Sequence, residues 1–124
     1  MQYGYVNEGK IISCYNKGNV SGLENYIGGI TGEGYRIKNS YNVGNVIGEN
    51  SNYIGSISGS GRNAELTDKN YFLENTVNGE NGYIISGTEV KTSNEMREIY
   101  LLLGQPFKKD TNNINNGYPI LNWQ

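Results

Sequence analysis

The sequence contains no histidine, only one cysteine and only two prolines among its 124 residues. Cys14 therefore has no partner for an intramolecular disulfide. Ligand count excludes a structural zinc site, because neither a histidine nor a second cysteine is present. A nucleophilic role for Cys14 is not predicted either, since the thiol would need a histidine partner. We therefore expect no metal, no cofactor and no cysteine-based catalysis.

A strong charge and long apolar runs are also missing. The net charge is −2, with 10 basic and 12 acidic residues interspersed along the chain, which favours neither nucleic acid nor an anionic membrane as a partner. No run approaches the roughly 20 apolar residues of a membrane span, and no signal peptide is recognisable. Hydrophobic residues make up 35%, while 18 glycines, 20 asparagines and 11 tyrosines supply much of the rest. The length suits one domain without a thick aliphatic core.

An internal repeat organises what is present. Residues 11–22 match residues 37–48 at a spacing of 26, and residues 26–34 match residues 53–61 at a spacing of 27. Of the 21 aligned positions, 13 are identical. The slip of one residue falls in a polar stretch, as an insertion in a loop would.

A decayed third copy follows the two clear ones. Tyr71 answers Tyr41 and Tyr83 answers Tyr53, both at a spacing of 30. Residues 3–10 resemble the end of an earlier copy, as if the chain began inside an array. We therefore predict an array over residues 1–91, made of a partial coil 3–10, coils 11–36 and 37–63, and a degenerate coil 64–91.

Each repeat unit predicts short strands, because Tyr, Ile and Val are enriched and glycine interrupts every segment. One unit of about 26 residues cannot bury its apolar face alone, whereas stacked copies can. The pattern favours an all-β fold, a parallel β-solenoid of about three coils. An antiparallel β-sandwich built from hairpins is the alternative, because Gly-Asn steps also suit tight turns.

Stacking of the copies predicts columns of equivalent residues. Repeated glycines would supply unusual backbone angles or let coils approach closely. Cys14 aligns with Ser40 and is predicted to be a small packed side chain. The predicted apolar columns are Ile11/Ile37, Val20/Val46 and Ile30/Ile57, the predicted amide ladders are Asn16/Asn42 and Asn19/Asn45, and the glycine pairs are Gly18/Gly44, Gly22/Gly48 and Gly32/Gly59.

The C-terminal residues 92–124 follow different rules. Thr92 and Glu95 have the spacing of a capping box, and Gly104 can end a helix. The apolar spacing predicts a short amphipathic helix over residues 93–103. Because an open stack exposes unpaired strand edges, we expect this segment to cap the array.

The repeats resemble the GLUG motif, which occurs in surface proteins of Gram-positive and gut bacteria. The resemblance rests on residues 11–32 and 37–59, with Ser40 where the family often has cysteine and Ser56 in place of a glycine. The tail of residues 95–124 resembles segments that close such arrays. The resemblance implies an extracellular or cell-surface location and an accessory role, and it carries over no catalytic residue.

Several other motifs are better explained as structural features than as functional sites. Residues 4–11 have the glycine and lysine spacing of a phosphate-binding loop but lack the hydroxyl residue and the helix. Residues 59–64 imitate a dinucleotide fingerprint without helical periodicity after it. Glu65 and Glu74 could form a glycosidase pair, although nothing raises them above any other pair. Residues 110–117 could hold calcium, but with one carboxylate they fit a polar loop better.

Tyr15, Tyr41 and Tyr71 occupy equivalent positions and would form a column. An exposed column could stack on sugars or anchor a protein partner, whereas a buried column would belong to the core, which the repetition favours.

Two classes of function follow from the repeats and the resemblance. The chain is a non-enzymatic stalk or adhesive module that binds a host or cell-wall glycan or protein, or it is an accessory binding module of a secreted hydrolase.

Overall fold

The computed structural model describes residues 10–23, 26–33, 36–49, 53–60 and 67–124. Short strands dominate, with two helices of four residues each. This confirms the predicted all-β class. The strands are β1 Ile11–Ile12, β2 Tyr15–Asn16, β3 Val20–Gly22, β4 Ile27–Gly28, β5 Ile37–Lys38, β6 Tyr41–Asn42, β7 Val46–Gly48, β8 Ile54–Gly55, β9 Asn70–Leu73, β10 Thr88–Lys91, β11 Phe107–Lys108 and β12 Ile120–Leu121.

Strands of successive repeats pair in parallel. The first repeat (residues 11–36) pairs with the second (37–63) through β1–β5, β3–β7 and β4–β8, and the order β10–β9–β6–β2 forms a four-stranded sheet. The register joins the residues that the sequence repeat aligns, such as Val20 with Val46. Among the described residues, antiparallel pairing is confined to β11–β12 and the Val77–Glu80 bridge.

The predicted apolar columns lie in the core. Ile37 and Val46 are fully buried and Ile57 is nearly so, while their counterparts in the first repeat are only half-buried. Ile37 and Ile57 pack with Phe72 and Ile85 of the third repeat (residues 64–91). The apolar core therefore runs along the stack from repeat to repeat.

The third repeat keeps only part of the predicted register. Tyr71 pairs with Tyr41, as predicted, but Tyr83 pairs with Gly55 and not with Tyr53. The shorter spacing has a physical reason, because it aligns Ile85 with the buried position of Ile57. The predicted spacing of 30 would have placed Gly87 there.

Repeated backbone corners do not use glycine. Ser13, Asn39 and Lys69 occupy equivalent places in the three repeats, and each has a φ between 54° and 57°. In contrast, Gly44 lies close to the first repeat, since a Cβ there would be 2.1 Å from the carbonyl oxygen of Gly18. Of the two roles predicted for the repeat glycines, close approach is the one that Gly44 fills.

The predicted helix 93–103 is two helices, α1 Ser93–Met96 and α2 Tyr100–Leu103. Thr92 and Glu95 form the predicted capping box at α1, and Gly104 with φ 69° ends α2. Between them the backbone tightens to i→i+3 hydrogen bonds, such as Ile99 to Met96. This spacing keeps the buried Met96, Ile99 and Leu103 in one cluster.

The C-terminal segment, residues 92–124, packs on one face of the four-stranded sheet. Met96, Ile99, Leu103 and Phe107 form a core cluster with Tyr41 and Tyr71. Because successive strand residues point to opposite faces, Tyr41 faces this segment while Asn42 faces the interior of the repeats. The predicted cap is thus a cover over a lateral face, a position that the sequence did not indicate.

Candidate functional site

The tyrosine column forms as the sequence predicts. β2, β6 and β9 place Tyr15, Tyr41 and Tyr71 in register. The rings of Tyr15 and Tyr41 are stacked, with centroids 5.0 Å apart and planes 3° from parallel. The repeat spacing therefore brings three aromatic side chains to one face of the sheet.

The C-terminal segment removes most of this column from solvent. Tyr41 is completely buried and Tyr71 is 5% exposed. The Tyr41 hydroxyl donates to the carbonyl oxygen of Pro119 and accepts from the Asn115 amide at 2.9 Å. The ligand-stacking hypothesis for the column is corrected at Tyr41 and Tyr71, because protein atoms already cover these rings.

Burial also governs the chemistry of the covered hydroxyls. Desolvation raises the pKa of Tyr41 far above its ordinary value, and the neighbouring Tyr15 adds to the effect. Desolvation likewise raises the pKa of Tyr71, with a smaller contribution from Glu89. Both hydroxyls are therefore neutral at neutral pH.

Tyr15 is the exception in the column because it lies at the edge of the sheet. It is half-buried, and its hydroxyl lies 3.1 Å from the side-chain oxygen of Gln124. The chain terminus thus reaches the first repeat. A single half-covered ring offers little area for stacking on a ligand.

A buried polar network occupies the interior of the repeats. Asn16 donates to the Oδ1 atom of Asn42 at 2.9 Å, which confirms the predicted Asn16/Asn42 ladder. Asn42 in turn donates to Ser56 Oγ at 2.8 Å, and Thr76 Oγ1 donates to the same Ser56 Oγ at 2.9 Å. These groups bond to one another, so the network stabilises the stack.

The second predicted ladder differs in form. The Asn19 side-chain oxygen accepts from the backbone N–H of Asn45 at 3.2 Å, so it bonds to a backbone group of the next repeat. Cys14 also departs from its prediction, since it is exposed while its counterpart Ser40 is fully buried. Its position in the first repeat explains this, because the covering repeat lies on its other side.

A second aromatic pair lies on the surface. Tyr26 and Tyr53 stack with centroids 5.2 Å apart and planes 17° from parallel. They are 41% and 46% exposed, respectively. Sequence reasoning aligned these two tyrosines but did not consider them as a site. The sequence contained the necessary information, because the repeat spacing of 27 places Tyr26 beside Tyr53 just as the spacing of 26 places Tyr15 beside Tyr41.

The loop of residues 110–117 uses its carboxylate internally. Asp110 accepts backbone N–H groups from Asn115 at 2.7 Å, from Gly117 at 2.9 Å and from Ile114 at 2.9 Å. Burial opposes ionisation of Asp110, but these three donors outweigh it and hold the pKa below its ordinary value. Calcium would have to compete with these bonds. The polar-loop interpretation fits this geometry.

The other motifs weighed in the sequence fall wholly or partly outside the described residues. These are the phosphate-loop-like residues 4–11, the fingerprint-like residues 59–64 and Glu65 of the carboxylate pair. Within the described ranges, no group of three His, Cys, Asp or Glu side chains could hold a metal ion. No helix in that part of the chain is long and apolar enough to cross a membrane.

Comparison with protein-family models, with curated proteins and with solved structures gives no match for this chain.

Proposed function

We propose that this chain is a non-enzymatic repeat segment of a secreted or cell-surface bacterial protein. In this proposal the three repeats are coils of a short parallel β-solenoid of the GLUG type. The solenoid acts as a structural stalk, and the C-terminal segment braces it along one side. The extracellular location rests on the resemblance of residues 11–32 and 37–59 to the motif.

One observation carries the structural role. Equivalent residues of successive repeats pair in parallel and in register, from Ile11 with Ile37 to Ile27 with Ile54. Each repeat contacts its neighbours through backbone ladders and shared apolar columns, which supports the proposed solenoid. A stack held by ladders along its length resists deformation as one body.

The use of the buried polar groups supports a non-enzymatic role. Asn42, Ser56 and Thr76 bond to one another inside the stack, and Asp110 holds the C-terminal loop. Each of these groups therefore has a structural task. Polar atoms that catalyse would instead converge on a cleft with perturbed acids and bases.

Pulling the chain from its two ends in a force spectrometer tests the stalk. We expect one cooperative event that releases the repeats together, with a gain in length of about 3.6 Å per freed residue. Stepwise release at forces no greater than those that stretch a Gly/Ser linker would contradict the role of a structural stalk. A parallel assay against polysaccharides checks the enzyme alternative, for which hydrolysis would be the contrary result.

A second candidate, a carbohydrate- or protein-binding module, rests on the exposed Tyr26–Tyr53 pair. Flat amphipathic rings of this kind present apolar surface together with a hydroxyl. A glycan array would reveal binding that Tyr53→Ala abolishes. Trp123→Ala is the matched control, because Trp123 is 72% exposed and lies outside the pair. Binding that survives Tyr53→Ala would exclude the pair as the site.

A further inference from the structure

The first and second repeats present equivalent surfaces toward the N-terminal end of the stack. In the second repeat this surface is covered by the first repeat, and Gly44 is the tightest point of the contact. A Cβ at Gly44 would be 2.1 Å from the Gly18 carbonyl oxygen and 2.9 Å from the Asn16 amide nitrogen. No other residue fits there without moving the neighbouring repeat.

Gly18 is the equivalent residue in the first repeat, and its surroundings differ. The nearest described atom to a Cβ at Gly18 is the Asn16 Oδ1 atom of its own repeat, at 3.7 Å, which is an ordinary contact. Gly18 is also absent from the glycines with a positive φ. Neither backbone angle nor space within the described part of the chain therefore requires glycine at this position.

The backbone hydrogen bonds of β2 also show a difference between its two edges. Tyr41 and Val43 donate their N–H groups to the carbonyl oxygens of Cys14 and Asn16, at 3.1 and 3.0 Å. The parallel register gives Tyr15 and Lys17 the same orientation, so their N–H groups lie on the edge of β2 with which no described strand pairs. An edge of this kind is a template for another strand.

The side chains of the first repeat are also less buried than their equivalents. Each of five columns has a member in the second repeat that is at most 1% exposed and a member in the first that is only half-buried. The half-buried members are Ile11, Tyr15, Asn16, Val20 and Ile30. A further layer on this side would complete the burial of all five.

The opposite end of the stack does not offer such a layer. On β10, Glu89, Val90 and Lys91 stand in the columns of Tyr15, Asn16 and Lys17. A second copy docked end to end would set Lys17 beside Lys91 and the Asn16 amide on Val90. Like charges repel and the amide ladder is lost, so this end is a poor partner for the first repeat.

We propose that the N-terminal face of the first repeat is a docking surface for a further parallel coil of the same type, with asparagine and glycine in the columns of Asn16 and Gly18. In this proposal further coils stack on this face and not on the opposite end of the array. The inference rests on the proposed function, since it assumes that the repeats are coils of one solenoid.

The test inserts a second copy of residues 11–36 between Lys10 and Ile11. The melting temperature is measured for the original and for the extended chain. In each chain it is measured without substitution, with Gly18→Ala at the original glycine, and with Gly44→Ala. In the original chain we expect Gly18→Ala to leave the melting temperature within about 2 °C and Gly44→Ala to lower it by about 5 to 10 °C or to abolish folding. In the extended chain Gly18→Ala should lower it as much as Gly44→Ala does.

The melting temperatures test the docking surface and the solenoid separately. If Gly18→Ala stays neutral in the extended chain, or if the extended chain melts below the original, the docking surface is refuted while the solenoid stands. If Gly44→Ala is neutral in both chains, the solenoid itself is refuted. Sedimentation of the original chain tests the rival occupant, a second copy. We expect a monomer, and a dimer that Gly18→Arg dissociates would overturn the proposal.

Discussion

The first and second repeats have nearly the same sequence but different environments. Ile11 and Ile37 occupy equivalent places, yet Ile37 is completely buried and Ile11 is half-buried. Cys14 is exposed, whereas Ser40 is not. The difference shows that position in the stack decides burial, because each repeat is covered by its neighbours and not by itself. Equivalent substitutions in the two repeats are therefore matched experiments.

The largest difference is expected between Ile57→Asp and Ile30→Asp. Ile57 is 1% exposed and packs against Ile37, Phe72 and Ile85, so a carboxylate there would be buried without a partner. We expect Ile57→Asp to cost more than about 4 kcal/mol in the free energy of unfolding. Chemical denaturation measures this.

The control for that substitution is its counterpart in the first repeat. Ile30 is half-buried, so Ile30→Asp can keep its charge near water and should cost only about 1 to 2 kcal/mol. Equal costs at the two positions would contradict the idea that the stack, and not the residue type, sets the penalty.

A smaller difference is expected between Asn42→Ala and Asn16→Ala. Asn42 is fully buried and bonds to both Asn16 and Ser56, so its loss breaks two hydrogen bonds of the buried network. We expect a cost of about 2 to 3 kcal/mol for Asn42→Ala and about 1 kcal/mol for Asn16→Ala. Denaturant midpoints at constant slope provide the measurement, and the reverse order would show that the network is not continuous.

Alkaline pH should test the burial of Tyr41. Burial raises the pKa of Tyr41 above its unfolded value of about 10, so its contribution to stability is complete below that pH and is lost as the pH rises further. The free energy of unfolding should fall by up to about 1.4 kcal/mol per pH unit above pH 10 from this group. Tyr41→Phe should reduce that slope.

Measurement of Tyr41→Phe at neutral pH is the control for the alkaline titration, because it reports the loss of the hydroxyl's bond to Asn115 separately from its ionisation. Tyr71 has a raised pKa as well, so some slope should remain in Tyr41→Phe. A slope that does not change in Tyr41→Phe would mean that the C-terminal segment leaves the sheet before the hydroxyl ionises.

The smallest effect on stability is expected for a thiol-labelling pair. Cys14 is exposed and should react with a thiol reagent in the folded chain at the rate of a free cysteine. In the variant Cys14→Ser with Ser40→Cys, the thiol lies at a fully buried position, so labelling should be at least about tenfold slower. Similar rates would indicate that the first repeat does not cover the second as described.

Sequence reasoning succeeded where a single repeated period carried the information. The spacing of 26 gave the register of Tyr15 with Tyr41 and of Asn16 with Asn42, and local spacing gave the capping box at Thr92. It failed at Tyr83, where two alignments compete locally and only the burial of Ile85 decides between them. It also joined α1 and α2 into one helix, because periodicity does not show where a backbone tightens.

The sequence by itself determined which residues meet within the array, since a fixed period places equivalent side chains one above another. Only the tertiary structure decided what covers them. Strand alternation directs Tyr41 away from the repeat interior, and the C-terminal segment then buries it through Phe107, Asn115 and Pro119. Contacts between segments more than 60 residues apart leave no period in the chain, so the site that the tyrosines suggested became visible as core only in the folded molecule.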